Sequence, residues 1–186
     1  TALLTIGGAV DRPGVVEIPI GTPLGIVLTA AGARSPQAVV TGGYHGGWLA
    51  PIPAISMSRA GLASAGGTFG AGVLLVVGDD TCALGELAAV TSWLAGESAK
   101  QCGPCMFGLP ALARDVEALR RGDRSAVEIA DRHAQAVTGR GACAHPDGTA
   151  RFVTSALHLL QDETYLHLHG GCGRPIAGQL PIGSWS

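Results

Sequence analysis

An α+β protein, with strands gathered before residue 78 and helices after it, is the fold class the sequence predicts. Three observations carry this. Val73-Leu74-Leu75-Val76-Val77 is an unbroken apolar run of strand length, and shorter strand-like runs precede it. From Asp79 onward the apolar residues recur instead at three-and-four spacing, the period of an amphipathic helix. The 29 glycines and 11 prolines among 186 residues supply the turns that many short elements need.

Taken in order, Leu3-Leu4-Thr5-Ile6-Gly7-Gly8-Ala9-Val10 reads as a strand, and Val15-Val16-Glu17-Ile18-Pro19-Ile20 as its hairpin partner. Between them Arg12-Pro13-Gly14 puts Pro and Gly at the central positions of a type II turn. Thr22-Pro23 provides an N-cap and then a proline at the first helical position. That helix carries Leu24, Val27, Leu28 and Ala31 on one face and stops at Gly32. Val39-Val40-Thr41 is a short strand. Strand, hairpin, helix, strand is the layout of a compact β-grasp unit, and residues 72–77 should close its sheet. Residues 48–70, rich in Pro, Ser and Gly, read as an extended connection with little regular structure. Gly42-Gly43-Tyr44-His45-Gly46-Gly47 reads as a turn. It carries neither Gly-Lys-Ser/Thr nor Gly-x-Gly-x-x-Gly, so no nucleotide or flavin is expected on it.

In the second half, Asp79-Asp80-Thr81 offers caps for a helix whose stripe is Ala83, Leu87, Val90 and Leu94. A second helix opens at Pro104 and carries Leu109, Leu112, Val116 and Leu119 to Gly122. Pro110 lacks the amide hydrogen a helix interior needs, so a kink or restart is expected there. Ser125-Ala126-Val127-Glu128 is a capping box for a third helix through Ile129, His133 and Val137. The fourth runs from about Asp147 to His169, with Phe152, Ala156, Leu159 and Leu160 inward, and ends at Gly170-Gly171. Four short-linked amphipathic helices make a bundle. The expected organisation is a β-grasp domain over residues 1–78, a four-helix domain over 79–170 and an irregular tail over 171–186.

Composition narrows the function classes. An apolar share of 47% is ample for a core, and with only 4% aromatic residues small aliphatics must fill it. A formal net charge of −2 offers no basic footprint for nucleic acid. No run of about 18 apolar residues is present, so no membrane-spanning helix is expected. The N-terminus has no charged-then-apolar leader, and five cysteines, an odd number, are unlike a secreted disulfide framework. A reducing, cytoplasmic setting is expected. The chain begins at Thr1 in strand-like sequence, which points to a piece of a longer protein.

The chemistry concentrates in Glu97-Ser98-Ala99-Lys100-Gln101-Cys102-Gly103-Pro104-Cys105-Met106-Phe107-Gly108, with Cys143 following inside Gly141-Ala142-Cys143-Ala144-His145-Pro146. Thiolate is a soft ligand, and a Cys-x-x-Cys with a distant third cysteine is a metal or iron–sulfur spacing. It equally fits a redox disulfide or cysteines that merely pack. In an up-down-up-down bundle the junction of helices one and two and that of three and four fall at the same end, so Cys102, Cys105 and Cys143 converge. Cys82 lies roughly 24 Å away along the first helix, and Cys172 follows the fourth helix, roughly 33 Å beyond its start, at 1.5 Å per residue. Both are expected at the opposite pole. His145 is the remaining ligand type near the cysteine pole, and a zinc site of Cys102, Cys105, Cys143 and His145 fits the same residues. His167-Leu168-His169 reads as a polar last turn suited to the helix dipole.

The cysteine segment resembles the iron–sulfur region of the flavin- and NADH-binding subunit of complex I and its soluble dehydrogenase and hydrogenase relatives. Their pattern is Glu-Ser-Cys-Gly-x-Cys-x-Pro-Cys-x-x-Gly with a fourth cysteine roughly forty residues on. Glu97, Ser98, Cys102, Pro104, Cys105, Gly108 and Cys143 match it, while Ala99 stands where the first cysteine belongs. The stretch from Gly7 through Leu24 resembles the ubiquitin-like, soluble-ligand-binding β-grasp domain that precedes the cluster domain in that subunit. The resemblance implies an electron-transfer module in which a [4Fe-4S] or [3Fe-4S] cluster is held by Cys102, Cys105 and Cys143, with His145 as a candidate fourth ligand. It implies FMN and NADH on an N-terminal domain outside these residues, and partners in that domain and in a further iron–sulfur carrier. A module that lost its cluster with Ala99 and serves as a docking scaffold stands as the alternative.

Overall fold

The computed structural model describes residues 1–183, which form a mixed five-stranded sheet and seven α-helices. β1 (Ala2–Gly8) and β2 (Gly14–Ile18) are an antiparallel hairpin with Ala2 opposite Ile18. α1 (Leu24–Ala31) follows and is closed by Gly32 at φ 67, whose N–H donates back to Leu28 and Thr29. β3 (Pro36–Thr41) pairs antiparallel with β4 (Gly47–Leu49). After α2 (Arg59–Ser64), β5 (Val73–Gly78) inserts between β1 and β3, parallel to the first and antiparallel to the second. The strand order is β2-β1-β5-β3-β4.

The central place of β5 explains its continuous apolar sequence, because both of its faces are covered. Leu74 and Val76 join Leu4, Ile6, Leu24, Val27 and Leu28 in the core beneath α1. Leu75 and Val77 join Ala38, Val40 and Trp48 on the other face, where the helices of the second half pack.

Those helices are α3 (Ala83–Gly96), α4 (Leu109–Arg120), α5 (Ala126–Val137), α6 (His145–Leu159) and α7 (Gln161–Leu168), with a π-helical turn at Pro104–Gly108 leading into α4. Pro110 sits in the first turn of α4, where a missing N–H costs nothing, so the helix restarts one residue before it. Leu84, Leu87 and Val90 of α3, Leu112 and Val116 of α4, and Phe152 and Val153 of α6 share one core with the sheet. The rings of Tyr44 and Trp48 lie 5.7 and 5.6 Å from that of Phe152, and Ser155 Oγ accepts from the Trp48 amide at 3.0 Å. The change near residue 78 is therefore one of element type, with a core that runs across it.

Several expectations are corrected. Residues 48–70 are not merely extended. They contain β4 and α2, the latter capped by Ser58 Oγ accepting from Gly61 N at 3.0 Å, with Met57 and Leu62 buried. Thr22 does not cap α1, since its hydroxyl donates to the Pro19 carbonyl at 2.7 Å and the helix starts at Leu24. Ser125 likewise donates to Asp123 Oδ1 at 2.7 Å from a helical backbone, so no capping box forms. The last expected helix is two, parted at Leu160, where the backbone turns and the side chain is buried. No glycine or proline marks that break, so packing imposes it. The tail has no helix or strand through residue 183, yet it is docked. Cys82 N donates to Pro175 O at 2.7 Å, the Glu86 carboxylate accepts from Gln179 N and Leu180 N, and Leu180 is buried in the shared core. The last three residues of the expected tail lie outside the described residues.

Candidate metal centre

α3 runs out at Gly96, and the chain that follows is shaped for a tight loop. Ser98 is buried and donates to the Ala95 carbonyl at 3.0 Å, while Ala99 is exposed. Lys100 then adopts φ 53, a left-handed conformation that favours glycine. In the pattern this segment resembles, glycine stands at that position. Here Lys100 takes that conformation, with Ala99 in the place of the first cysteine.

Cys102 precedes the π-helical turn and Cys105 lies within it, buried beside Ala95 and Leu109 with Cys102 packed against them. π-helical turns concentrate at functional sites. This one packs closely on the end of α5, because a Cβ on Gly108 would fall 2.2 Å from Val137 Cγ1. Cys143 is exposed on the loop between α5 and α6. Cys102 and Cys105 are neighbours, and Cys143 is near enough for its charge to act on Cys105. The peptide N–H groups of Ala142 and then of Cys105 hold the Cys102 thiol below its ordinary pKa. Burial raises that of Cys105, followed by the neighbouring Cys102 sulfur and the charge of Cys143. One pole of the helices thus presents a partly exposed thiol biased toward thiolate, a buried thiol and an exposed one. Soft donors biased in this way suit iron or zinc.

His145 is placed differently from the expectation. Its Nε2 lies 2.9 Å from the Leu94 carbonyl and its Nδ1 3.0 Å from His45 Nε2. Both ring nitrogens are engaged, so His145 as it stands is no fourth ligand. The physical reason is local, because Leu94 O belongs to the last turn of α3, where carbonyls lack helical partners. His145 satisfies one and ties the start of α6 to the end of α3. His45 completes the tie and is packed so closely that a Cβ on Gly148 would lie 2.4 Å from its ring. Burial, then His145, then Arg151 hold the His45 imidazole below its ordinary pKa. The glycine-rich loop, read from sequence as a plain turn, is thus a strap. Its Tyr44 hydroxyl donates to Pro181 O at 2.6 Å.

Among the described residues, the one group of three or more ligand-type side chains drawn to single-ion spacing is elsewhere. Cys82, Glu163, His167 and Cys172 meet at the opposite pole. Sequence reading put Cys82 and Cys172 there but took His167 for a polar helix end; it is 8% exposed and buried among them. The cysteines at the Cys102 pole are not compressed in that way. A polynuclear cluster binds each thiolate to a different iron and spaces its ligands more widely than one ion does.

Residues 85–167 match the family model described as the NADH-ubiquinone oxidoreductase-F iron-sulfur binding region. The chain is 29% identical to the F subunit of NADH-quinone oxidoreductase from Streptomyces coelicolor, a match covering 91% of this chain and 40% of that protein. It is 28% identical to the corresponding protein of Mycobacterium bovis with the same coverage. With the HndC subunit of an NADP-reducing hydrogenase of Solidesulfovibrio fructosivorans it shares 24% identity, over 69% of this chain and 28% of that one. A chain in the crystal structure of air-oxidized NAD+-reducing [NiFe]-hydrogenase has the same fold, with TM-score 0.78 at 23% identity over 89% of this chain and 29% of that one. The chain spans about 40% of the length of the first two relatives. The matched segment and the similar subunits agree: the chain resembles the part of the NADH-quinone oxidoreductase F subunit that contains its iron–sulfur binding region.

Proposed function

We propose that this chain is the electron-transfer part of an NADH-dependent oxidoreductase, and that Cys102, Cys105 and Cys143 hold an iron–sulfur cluster of the [4Fe-4S] or [3Fe-4S] type. The observation that supports this is that Cys102 and Cys105 are neighbours within the matched segment, with Cys143, from a loop far away in sequence, near enough for its charge to act on Cys105. When bound, such a cluster supplies one-electron carriage. The chain's own residues do the holding. The amides of Ala142 and Cys105 favour the Cys102 thiolate, and the apolar bed of Ala95 and Leu109 keeps water from Cys105. The His45–His145–Leu94 series fixes the Cys143 loop against the end of α3. With Ala99 in place of a thiolate, three protein ligands are offered, which makes the site open at one position.

The finer architecture proposed is a β-grasp domain over residues 1–78 joined to a four-helix cluster domain over 79–170, with α6 and α7 as one broken arm. The sheet order and the helix beneath it support that division. FMN and NADH are assigned to a domain of the same protein or complex outside these residues, and the electron acceptor to a second iron–sulfur protein. Met106 and Phe107, 50% and 71% exposed beside the cysteines, give that partner an apolar foothold. A reducing, cytoplasmic compartment is the setting proposed for the five free thiols.

Ala99 favours one second reading, a cluster-free docking scaffold. Anaerobic reconstitution with iron and sulfide, followed by iron analysis and electron paramagnetic resonance, separates the two. Three or four irons per chain with a cluster signal is the expected result. A folded chain that retains no iron overturns the electron-transfer reading and leaves the scaffold.

A further inference from the structure

At the pole opposite Cys102, two cysteines distant in sequence meet a histidine and a glutamate. The sulfurs of Cys82 and Cys172, a ring nitrogen of His167 and a carboxylate oxygen of Glu163 all lie within 4.8 Å of one another. Cys82, Glu163 and His167 are 2%, 5% and 8% exposed, and Cys172 is partly exposed. We propose that these four side chains form a tetrahedral structural site for a divalent zinc ion, which staples the C-terminal segment to the start of α3 and the end of α7.

Spacing is the first support. Zinc bonds of about 2.3 Å to sulfur and 2.0–2.1 Å to nitrogen put tetrahedral neighbours about 3.5 Å apart. Cys82 Sγ lies 3.3 Å from His167 Nε2, and that nitrogen lies 4.0 Å from Glu163 Oε1. All the other pairs lie within 4.8 Å, so side-chain adjustment alone can close the four on an ion.

Outer contacts are the second support, since each ligand is already oriented by a further group. His167 Nδ1 lies 2.5 Å from the Arg120 carbonyl. A carbonyl only accepts, so Nδ1 carries the proton and Nε2 turns its lone pair toward Cys82. This is how metal-binding histidines are held. Cys82 is the N-cap of the 14-residue α3, and its sulfur accepts from Gly85 N at 3.2 Å, an arrangement that favours thiolate. Glu163 Oε1 accepts from Leu84 N at 3.2 Å and Oε2 from Arg174 at 2.6 Å. Two thiolates and a carboxylate around a dication leave one negative charge, and Arg174 cancels it. Four protein ligands leave no open position, which marks a structural site and not a catalytic one. The role follows from the chain path, because Cys172 lies beyond Gly170-Gly171, ahead of the docked segment that reaches Leu180.

This inference is independent of the cluster at the other pole, and the test keeps them apart. The chain carrying Cys102→Ser, Cys105→Ser and Cys143→Ser is purified anaerobically under reducing conditions, stripped with a chelator and titrated with zinc or cobalt(II). One ion per chain is expected, and cobalt should give the ligand-field bands of a tetrahedral site with thiolate-to-cobalt charge transfer. Adding Cys172→Ser or His167→Gln should abolish stoichiometric uptake, and Arg174→Gln should weaken it roughly 10–100-fold. Cys172 is partly exposed, so its serine variant is the milder for folding; if it unfolds, the cobalt spectrum of the parent chain decides alone. The proposal is overturned if that parent folds without thiolate–cobalt bands, if uptake survives Cys172→Ser, or if Cys82 and Cys172 are found as a disulfide with no metal bound.

Discussion

The two poles of the helical half hold cysteines in opposite ways. Around Cys102 the cysteines sit on loops and a π-helical turn, partly in solvent, with Ala99 where one expected donor would stand. Around Cys82 the proposed ligands sit at a helix N-cap, inside a helix and on a packed tail, mostly buried, each of the buried ones with its own outer hydrogen bond. The first pole is exposed, as the proposed electron-transfer site would need, and the second is buried, as the proposed zinc joint would need. Cysteine count alone therefore says little, because burial and the groups behind the cysteines set the two poles apart.

The largest expected effect breaks the comparison outright. Cys105→Ser should abolish iron retention at the first pole while leaving zinc uptake at the second intact, as metal analysis of the reconstituted chain will show. Loss of both metals together would mean that the poles are one cooperative unit. Phe152→Ala is expected to act on both, because Phe152 of α6 is fully buried against Tyr44 and Trp48. It should cost about 3–5 kcal/mol and lower the melting temperature by roughly 10 °C. Ala99→Cys sharpens the contrast from the other side. A fourth thiolate should shift the reconstituted site toward a four-iron form and slow iron loss in air several-fold, read by electron paramagnetic resonance and iron release. An unchanged release rate would show that the Ala99 loop does not reach the site.

The smallest effect concerns pH and the strap at the first pole. Burial, His145 and Arg151 depress the His45 pKa in the folded chain. A depressed imidazole favours the neutral form, so its contribution is full above the ordinary value of about 6.5 and is lost as pH falls through the lowered folded value. Melting temperature should drop modestly on acidification below about pH 6.5, and His45→Gln should flatten that drop. Equal slopes in both proteins would remove His45 as the cause.

Much of the fold was legible because it rests on local period. The apolar run of β5, the helical stripes of α3 and α4, and the glycine stop of α1 are written in neighbouring residues. The failures share a cause. Thr22 and Ser125 look like caps in a string of letters, but a hydroxyl takes whichever acceptor is nearer, here Pro19 O and Asp123 Oδ1. The break at Leu160 and the burial of α2 come from packing that no window of sequence contains.

The same division runs through the sites. Sequence by itself determined the α+β class, the Cys102–Cys105–Cys143 spacing, and the placing of Cys82 and Cys172 at the far pole, since rise per residue and helix direction follow from covalent geometry. Only the tertiary structure decided that His145 spends both ring nitrogens on Leu94 and His45, and that His167 and Glu163 turn inward to meet Cys82 and Cys172. Which polar atom a buried side chain finds depends on desolvation and on groups brought from distant parts of the chain, and burial fixes that choice.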